Sequence, residues 1–244
     1  RQTMLPEIGP GGQGKLARSR VLLVGVGGLG STIAQLLCAA GTGQLVIADA
    51  DKVSESNLQR QILYRTSQIG LPKTECAKKS LEDLNPDCEI IASGRWFSPQ
   101  NALALAQGCH LIVDGSDNAR TRYLMNDVAV GLGIPYVYGS IQDFSGQVAV
   151  FNASETSPTY RCIFPEPEPM PESENRGVIG PLPAFIASIQ ANECIKLLSG
   201  AGKPLDHRLF TCNLLTMETA CFQIPATDSG RETSLENFRK LPRS

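Results

Sequence analysis

The residues of this chain best suited to chemistry are two cations and three carboxylates placed around a glycine run. They are Arg60 and Lys73, Asp49, Asp51 and Asp117, and Gly25, Gly27, Gly28 and Gly30. The glycines follow the apolar stretch 21–24 and precede a small-residue helical pattern through Ile33, Leu36 and Leu37, which reads as strand, phosphate loop and helix. Glycine lets the backbone turn sharply and approach a ligand, and the N–H groups and dipole of a new helix favour phosphate oxygens. The next apolar run, 44–48, ends in Asp49, about 20 residues past the last glycine, where a carboxylate meets a ribose hydroxyl. A tight strand-to-helix turn without a ligand would carry the same glycines; the flanking strand, helix and acid favour a nucleotide.

Arg60 and Lys73 come where loops return toward the strand ends. Two cations beside phosphates suit a triphosphate better than an apolar nicotinamide pocket. Taken singly, each also reads as a solvated surface charge. Asp117 follows the buried run 110–114 and a Gly-Ser turn. That is a place where Mg2+ is held through one carboxylate plus substrate phosphates, and equally a place for a helix N-cap before a segment starting near Arg120. Asp114, nearer the strand, reads as structural.

The elements that must position these groups alternate between strands and helices. Strand runs are read at 21–24, 44–48, 89–93, 110–114 and 136–141, separated by helices over 73–84, 99–107 and 120–132 and the one after the glycines. This is an α/β chain with a Rossmann-like, doubly wound, mainly parallel sheet. From about Ser145 strand follows strand, at 146–151, 159–164, 208–215 and 217–224, so the sheet is expected to continue into antiparallel strands. Between them lie a Pro- and Glu-rich segment, 165–176, expected as an exposed, mobile loop, and a nearly all-apolar helix over 181–199 stopped by Gly200, expected in the core or at a dimer interface. Residues 1–20 are read as an arm with a short helix near 15–20, residues 1–224 as a single domain, and the polar tail 225–244 as unstructured.

Composition narrows the partners. With 244 residues and 42% hydrophobic content the chain buries one large core. A net charge of -2 and a pI near 5.8 argue against nucleic acid or an anionic membrane as main partner. No apolar run approaches the roughly 20 residues that span a bilayer, and a cytoplasmic location is expected. Eight cysteines without C-x-x-C spacing and two isolated histidines, His110 and His207, give no metal cluster, and the thiols are expected reduced and mostly buried.

Together, Arg1-Gln2, Gly25-x-Gly-Gly-Leu-Gly30, Asp49-x-Asp51, the run Ser56-Asn-Leu-Gln-Arg-Gln61, Pro72-Lys73, Asp117-Asn118 and Gly177-x-x-Gly-Pro181 resemble the bacterial E1-like adenylyltransferases, the ThiF, MoeB and HesA proteins. The likeness covers about residues 1–224. It implies a homodimer that binds ATP and Mg2+ and adenylates the C-terminal glycine of a small ubiquitin-like sulfur-carrier protein ending in Gly-Gly, in thiamine or molybdopterin biosynthesis. By the resemblance, Gly25, Gly27, Gly28, Gly30, Asp49, Asp51 and Asn118 bind the nucleotide, with Asn57, Arg60 and Lys73 on its phosphates. Asp117 holds Mg2+, and Arg1 reaches the neighbouring subunit's ATP.

Two departures qualify it. Family members commonly carry two C-x-x-C pairs for a structural zinc, of which only Cys162 has a counterpart here, with Thr159 in its partner's place; no zinc is expected. The cysteine found in thiazole-pathway members shortly before the Gly-x-x-Gly-Pro turn is also missing, Ser173-Glu-Asn-Arg-Gly177 standing there. Sulfur would then come from a separate persulfide donor such as a cysteine desulfurase. The competing readings are adenylation of a ribosomal precursor peptide or other carboxylate, a nicotinamide oxidoreductase, which leaves Arg60, Lys73 and Asp117 unexplained, and a non-catalytic nucleotide-binding relative.

Overall fold

The computed structural model describes residues 1–165 and 177–243. Five strands, β1 (Arg20–Val24), β2 (Gln44–Ala48), β3 (Glu89–Ser93), β4 (Leu111–Asp114) and β5 (Tyr136–Gln142), are parallel. β6 (Ser145–Phe151), β7 (Arg208–Asn213) and β8 (Glu218–Gln223) add antiparallel, giving the order β3-β2-β1-β4-β5-β6-β7-β8. β1 and β4 are central, and their apolar runs are buried on both faces, as a parallel strand covered by helices on both sides must be. Successive residues of β1 enter opposite cores. Val21 and Leu23 pack with α2 (Gly28–Ala40), α3 (Lys73–Leu84) and α6 (Pro181–Ser199), whereas Leu22 and Val24 pack with α4 (Ala102–Ala106), α5 (Ala119–Leu132) and an aromatic group around Tyr136 and Phe151. The expected doubly wound sheet is therefore present.

Helix α6 lies in the core. Leu182, Ile186, Ala187, Gln190 and Cys194 are buried against the sheet, and Gly139 and Gly146 of β5 and β6 leave the space that Gln190 and Ile186 fill. A side chain at either glycine would overlap them. Among the described residues no helix is long and apolar enough to cross a membrane.

Three expectations differ from the structure. The arm is docked, because the first helix, α1, runs over Gly9–Ala17, with Leu16 fully buried and Gly12 pressed against Ser199 at the end of α6. The run 159–164 is a 3-10 turn (Tyr160–Cys162) instead of a strand, since its alternating apolar residues serve the aromatic cluster; Tyr160 and Phe164 stack on Tyr138. The bidentate ion pair of Arg161 with Asp127, at 2.9 and 2.8 Å, holds the turn. The tail is also ordered as α7 (Asp228–Arg239), which packs on α5. Its polar residues find partners in place of water: Asn126 donates to Ser234, and Arg231 donates to Asn152 and to the carbonyls of Ser154 and Ser157. The acidic segment expected to be mobile, 166–176, lies outside the described residues.

The Phe238 ring fills the space over Gly131 of α5. Phe238→Ala is expected to cost about 3 kcal/mol, measured as a lower urea midpoint at unchanged slope. An unchanged midpoint would separate α7 from the cooperative fold.

Candidate active site

The sheet reverses its winding between β1 and β4, and ligands of doubly wound sheets bind outside the carboxyl ends of the strands at that point. Three loops converge there: 25–30 after β1, 49–61 after β2 and 115–118 after β4. Neighbouring strands are spaced about 4.8 Å apart, so Asp49 and Asp114, one strand to either side of β1, end within roughly 10 Å of each other.

The glycine loop is fixed from several sides. Gly25 has φ +87°, a left-handed conformation that suits glycine, and a Cβ there would lie 2.6 Å from the Gly115 carbonyl oxygen. Reciprocally, Cβ atoms at Gly30 or Gly115 would overlap the Gly25 carbonyl, so the β1 and β4 loops interlock backbone to backbone. The Val26 peptide is held at both ends: its N–H donates to Asp49 Oδ2 at 2.9 Å, and its carbonyl accepts from the Tyr64 hydroxyl at 2.7 Å. Burial and the nearby Asp49 carboxylate push the Tyr64 phenol far above its ordinary range, so it stays a neutral donor. Helix α2 begins here with Gly27 as N-cap and no side-chain cap. Its first N–H groups have no intrahelical partner and are presented to an anion.

Asp49 is buried and already accepts two backbone N–H groups, from Val26 and, through Oδ1, from Asp51 at 2.8 Å. Its first task is to shape the loop. Lys73, the first residue of α3, is likewise buried, and its ammonium reaches Asp51 Oδ2 at 3.0 Å; the Asp51 side chain is 52% exposed. The backbone repeats this tie, Lys73 N–H donating to Asp51 O. Arg60 anchors to the Ser56 carbonyl at 3.1 Å and runs beside Gly28, whose Cβ would lie 3.8 Å from Arg60 Cδ and 3.5 Å from Pro183. Asn57 sits in the same turn and accepts at its carbonyl from Arg60 and Gln61. Gly180 is pressed against the Gln59 carbonyl at 2.8 Å from where its Cβ would be, which ties the entry to α6 to this turn.

After β4, the two roles open to Asp117 separate. The N-cap is Asn118, whose Oδ1 accepts from Thr121 N–H at 2.9 Å. Asp117 is exposed, and among the described residues its carboxylate has only a 3.5 Å hydrogen bond, from Asn118 Nδ2. Asp114 is structural as expected, fully buried and accepting from Ser116, Arg122 and Tyr136. Burial pushes its carboxyl upward against the opposing pull of the Arg122 guanidinium. Arg1 does not join this group. Gln2 beside it donates to Ala40 O at 2.7 Å, at the far end of α2, roughly 20 Å from the glycine loop by helix rise. A cavity of about 600 Å3 lies beside Arg1 at that end. Among the described residues no three His, Cys, Asp or Glu side chains form a metal cage.

The family model of the ThiF family matches residues 1–233. The chain belongs to the ThiF family. It is 46% identical over 222 residues to the sulfur carrier protein adenylyltransferase of Thermus thermophilus, a match covering 88% of this chain and 82% of that one. It is 41% identical to the SAMP-activating enzyme E1 of Haloferax volcanii, covering 98% and 91%. Among solved structures, the microcin C7 biosynthetic enzyme MccB in complex with N-formylated MccA superposes with a TM-score of 0.81 over 89% of this chain and 68% of that one. At 18% identity this likeness is one of fold.

In this ThiF-family chain Cys162 and Thr159, read above against one of the family's C-x-x-C pairs, meet Thr227 and Gly230 at the start of α7. A Cβ at Gly230 would stand 3.1 to 3.2 Å from Thr159 Oγ1, Cys162 Sγ and Thr227 Oγ1. One thiol, two hydroxyls and a glycine do not supply the thiolate and imidazole set that structural zinc takes. The Cys162 sulfur instead accepts from Thr227 Oγ1 at 3.3 Å and from the N–H groups of Thr159 and Thr227 at 3.3 and 3.4 Å. Burial works against its thiolate, but these donors outweigh it and bring the thiol below its usual range. Cys194 is fully buried, and burial keeps it protonated, as expected. The residues that sequence reasoning missed at the site are Gly115, Tyr64 and Gln61; only Gln61 had a motif around it.

Proposed function

We propose that this ThiF-family chain is an ATP-dependent adenylyltransferase that activates the C-terminal glycine carboxylate of a small ubiquitin-like sulfur carrier. The observation that carries the reading is the convergence of an uncapped helix N-terminus, Lys73, Arg60 and an uncommitted Asp117 at the β1/β4 switch point. The names of the sulfur carrier protein adenylyltransferase and the SAMP-activating enzyme supply the substrate class.

The chemistry needs little more than alignment and charge neutralisation. A carboxylate oxygen forms a bond to the α-phosphorus while the bond from that phosphorus to pyrophosphate breaks, and the electron pair leaves with pyrophosphate. The nucleophile is ionised at neutral pH, so no general base is required. The α2 N-terminus and Arg60 neutralise phosphate oxygens. Lys73 exchanges its partner Asp51 for phosphate, a charge-assisted bond of the same kind. Asp117 would hold Mg2+, which takes one carboxylate and the nucleotide's own phosphates and supplies charge stabilisation to them.

Arg1 is assigned to the site of a second copy. Its tether through Gln2 and Gln13 to the α2 C-terminus keeps it out of its own site and extends it from the surface. A persulfide donor outside this chain completes the sulfur transfer.

ATP/pyrophosphate exchange with Mg2+, run with a Gly-Gly-ended carrier, with a precursor peptide and with neither, tests the reading. Exchange dependent on the carrier is expected; dependence on the peptide would move the substrate class, and no exchange in any arm would remove the activity.

A further inference from the structure

The turn that carries Arg60 ends in Gln61, a residue with no role in the mechanism above. The residue is 3% exposed, and its Oε1 is buried without a hydrogen-bond partner among the described residues. Nε2 makes no hydrogen bond among the described residues and, unlike Oε1, is not fully buried, so it is the half of the amide open to a ligand. The backbone is fully engaged, N–H to Asn57 O and carbonyl from Tyr64 N–H, so only the carboxamide is spare. Buried polar side chains are hydrogen-bonded in the great majority of cases, and an exception calls for an explanation.

The position of the amide supplies one. Nε2 lies 3.6 Å from the place a Cβ of Gly27 would occupy, and nothing else comes within 4 Å of that place. Gly27 is the N-cap of α2, at the mouth of the phosphate loop. The turn that holds Gln61 is itself fastened to that loop, through Tyr64 and the Val26 carbonyl. Nε2 thus faces the loop with its N–H groups unpaired.

We propose that Gln61 is a nucleotide-contacting residue, its carboxamide N–H donating to a phosphate oxygen lying over Gly27. This rests on the nucleotide-site reading above. Keeping the carboxamide for a ligand leaves Oε1 buried and unpaired, which lowers stability, while Nε2 adds affinity for the ligand, so removing the amide moves the two quantities in opposite directions. A residue that merely packs the turn would move stability down and leave affinity alone.

The experiment compares full-length wild type with Gln61→Met, which keeps the shape without the amide, and Gln61→Glu, which places a carboxylate against phosphate. ATP affinity is measured by titration calorimetry with Mg2+, and unfolding by thermal melts without nucleotide. Gln61→Met is expected to weaken ATP binding about tenfold, the size of one hydrogen bond, with a melting temperature equal to or above wild type. Gln61→Glu is expected to bind weaker still. Wild-type affinity in Gln61→Met, or a lowered melting temperature with affinity retained, overturns the proposal. Wild-type protein that does not bind ATP at all would sink the nucleotide-site reading instead, and that result is told apart by the wild-type titration alone.

Discussion

Asp117→Ala is expected to lower ATP/pyrophosphate exchange by on the order of a thousandfold, the scale on which a single charge-stabilising group matters in a transition state, while unfolding stays within about 0.5 kcal/mol of wild type. The split follows from what the carboxylate touches. It is exposed, and its one hydrogen bond among the described residues is the 3.5 Å approach of Asn118 Nδ2, so little stability is expected to depend on it. The cap of α5 belongs to Asn118, and Asn118→Ala is the control: about 1 kcal/mol of stability should be lost with the cap. Exchange and melting temperature measured on both variants decide the matter. An Asp117→Ala enzyme with wild-type exchange would remove this residue from the chemistry. A large loss of stability in the same variant would mean that the carboxylate serves the fold.

The contrast between these adjacent residues also marks what the sequence could and could not disclose. Asp and Asn both cap helices, and both hold ligands, so residue type leaves Asp117 and Asn118 interchangeable; only the Oδ1 to Thr121 bond separates them. The parallel strands were legible because β1, β2 and β4 are apolar on both faces and short, and α3 and α6 because Pro72 and Gly200 punctuate them. Helix α7 was not legible, since its docking is polar: Ser234 and Arg231 replace water with Asn126, Asn152 and two carbonyls, and burial of that kind has no hydrophobic period. The same lack of pattern concealed the turn at Tyr160, where alternation feeds an aromatic cluster and Arg161 is neutralised underneath it by Asp127. At the site, the glycines and Asp49 announced a loop. That Asp49 spends its oxygens on the backbone of Val26 and Asp51, and that Gly115 is the counterpart against which Gly25 closes, depend on the approach of two loops 90 residues apart in the chain, which no local pattern encodes.

That approach underlies the second large effect, in which two glycines two residues apart respond oppositely. At Gly30 a methyl group would overlap the Gly25 carbonyl oxygen, and neither strand end can retreat, because Gly25 is itself closed against the Gly115 carbonyl. Gly30→Ala is therefore expected to cost about 3 kcal/mol or more of stability through backbone displacement, with nucleotide binding lost as a result. At Gly28 the surroundings are ordinary: Pro183 at 3.5 Å and Arg60 Cδ at 3.8 Å. Alanine in the first turn of a helix is favoured over glycine by up to about 1 kcal/mol, so Gly28→Ala should fold as well as wild type or better. Its methyl group nevertheless occupies space beside Arg60 at the uncapped N-terminus of α2, where a phosphate must come close. Thermal melts and ATP titrations on the pair distinguish the roles. Gly30→Ala loses both quantities together, whereas Gly28→Ala keeps stability and loses affinity. If Gly28→Ala retained full ATP affinity, the phosphate would have to lie away from the start of α2, and the assignment of this loop to the nucleotide would fail with it.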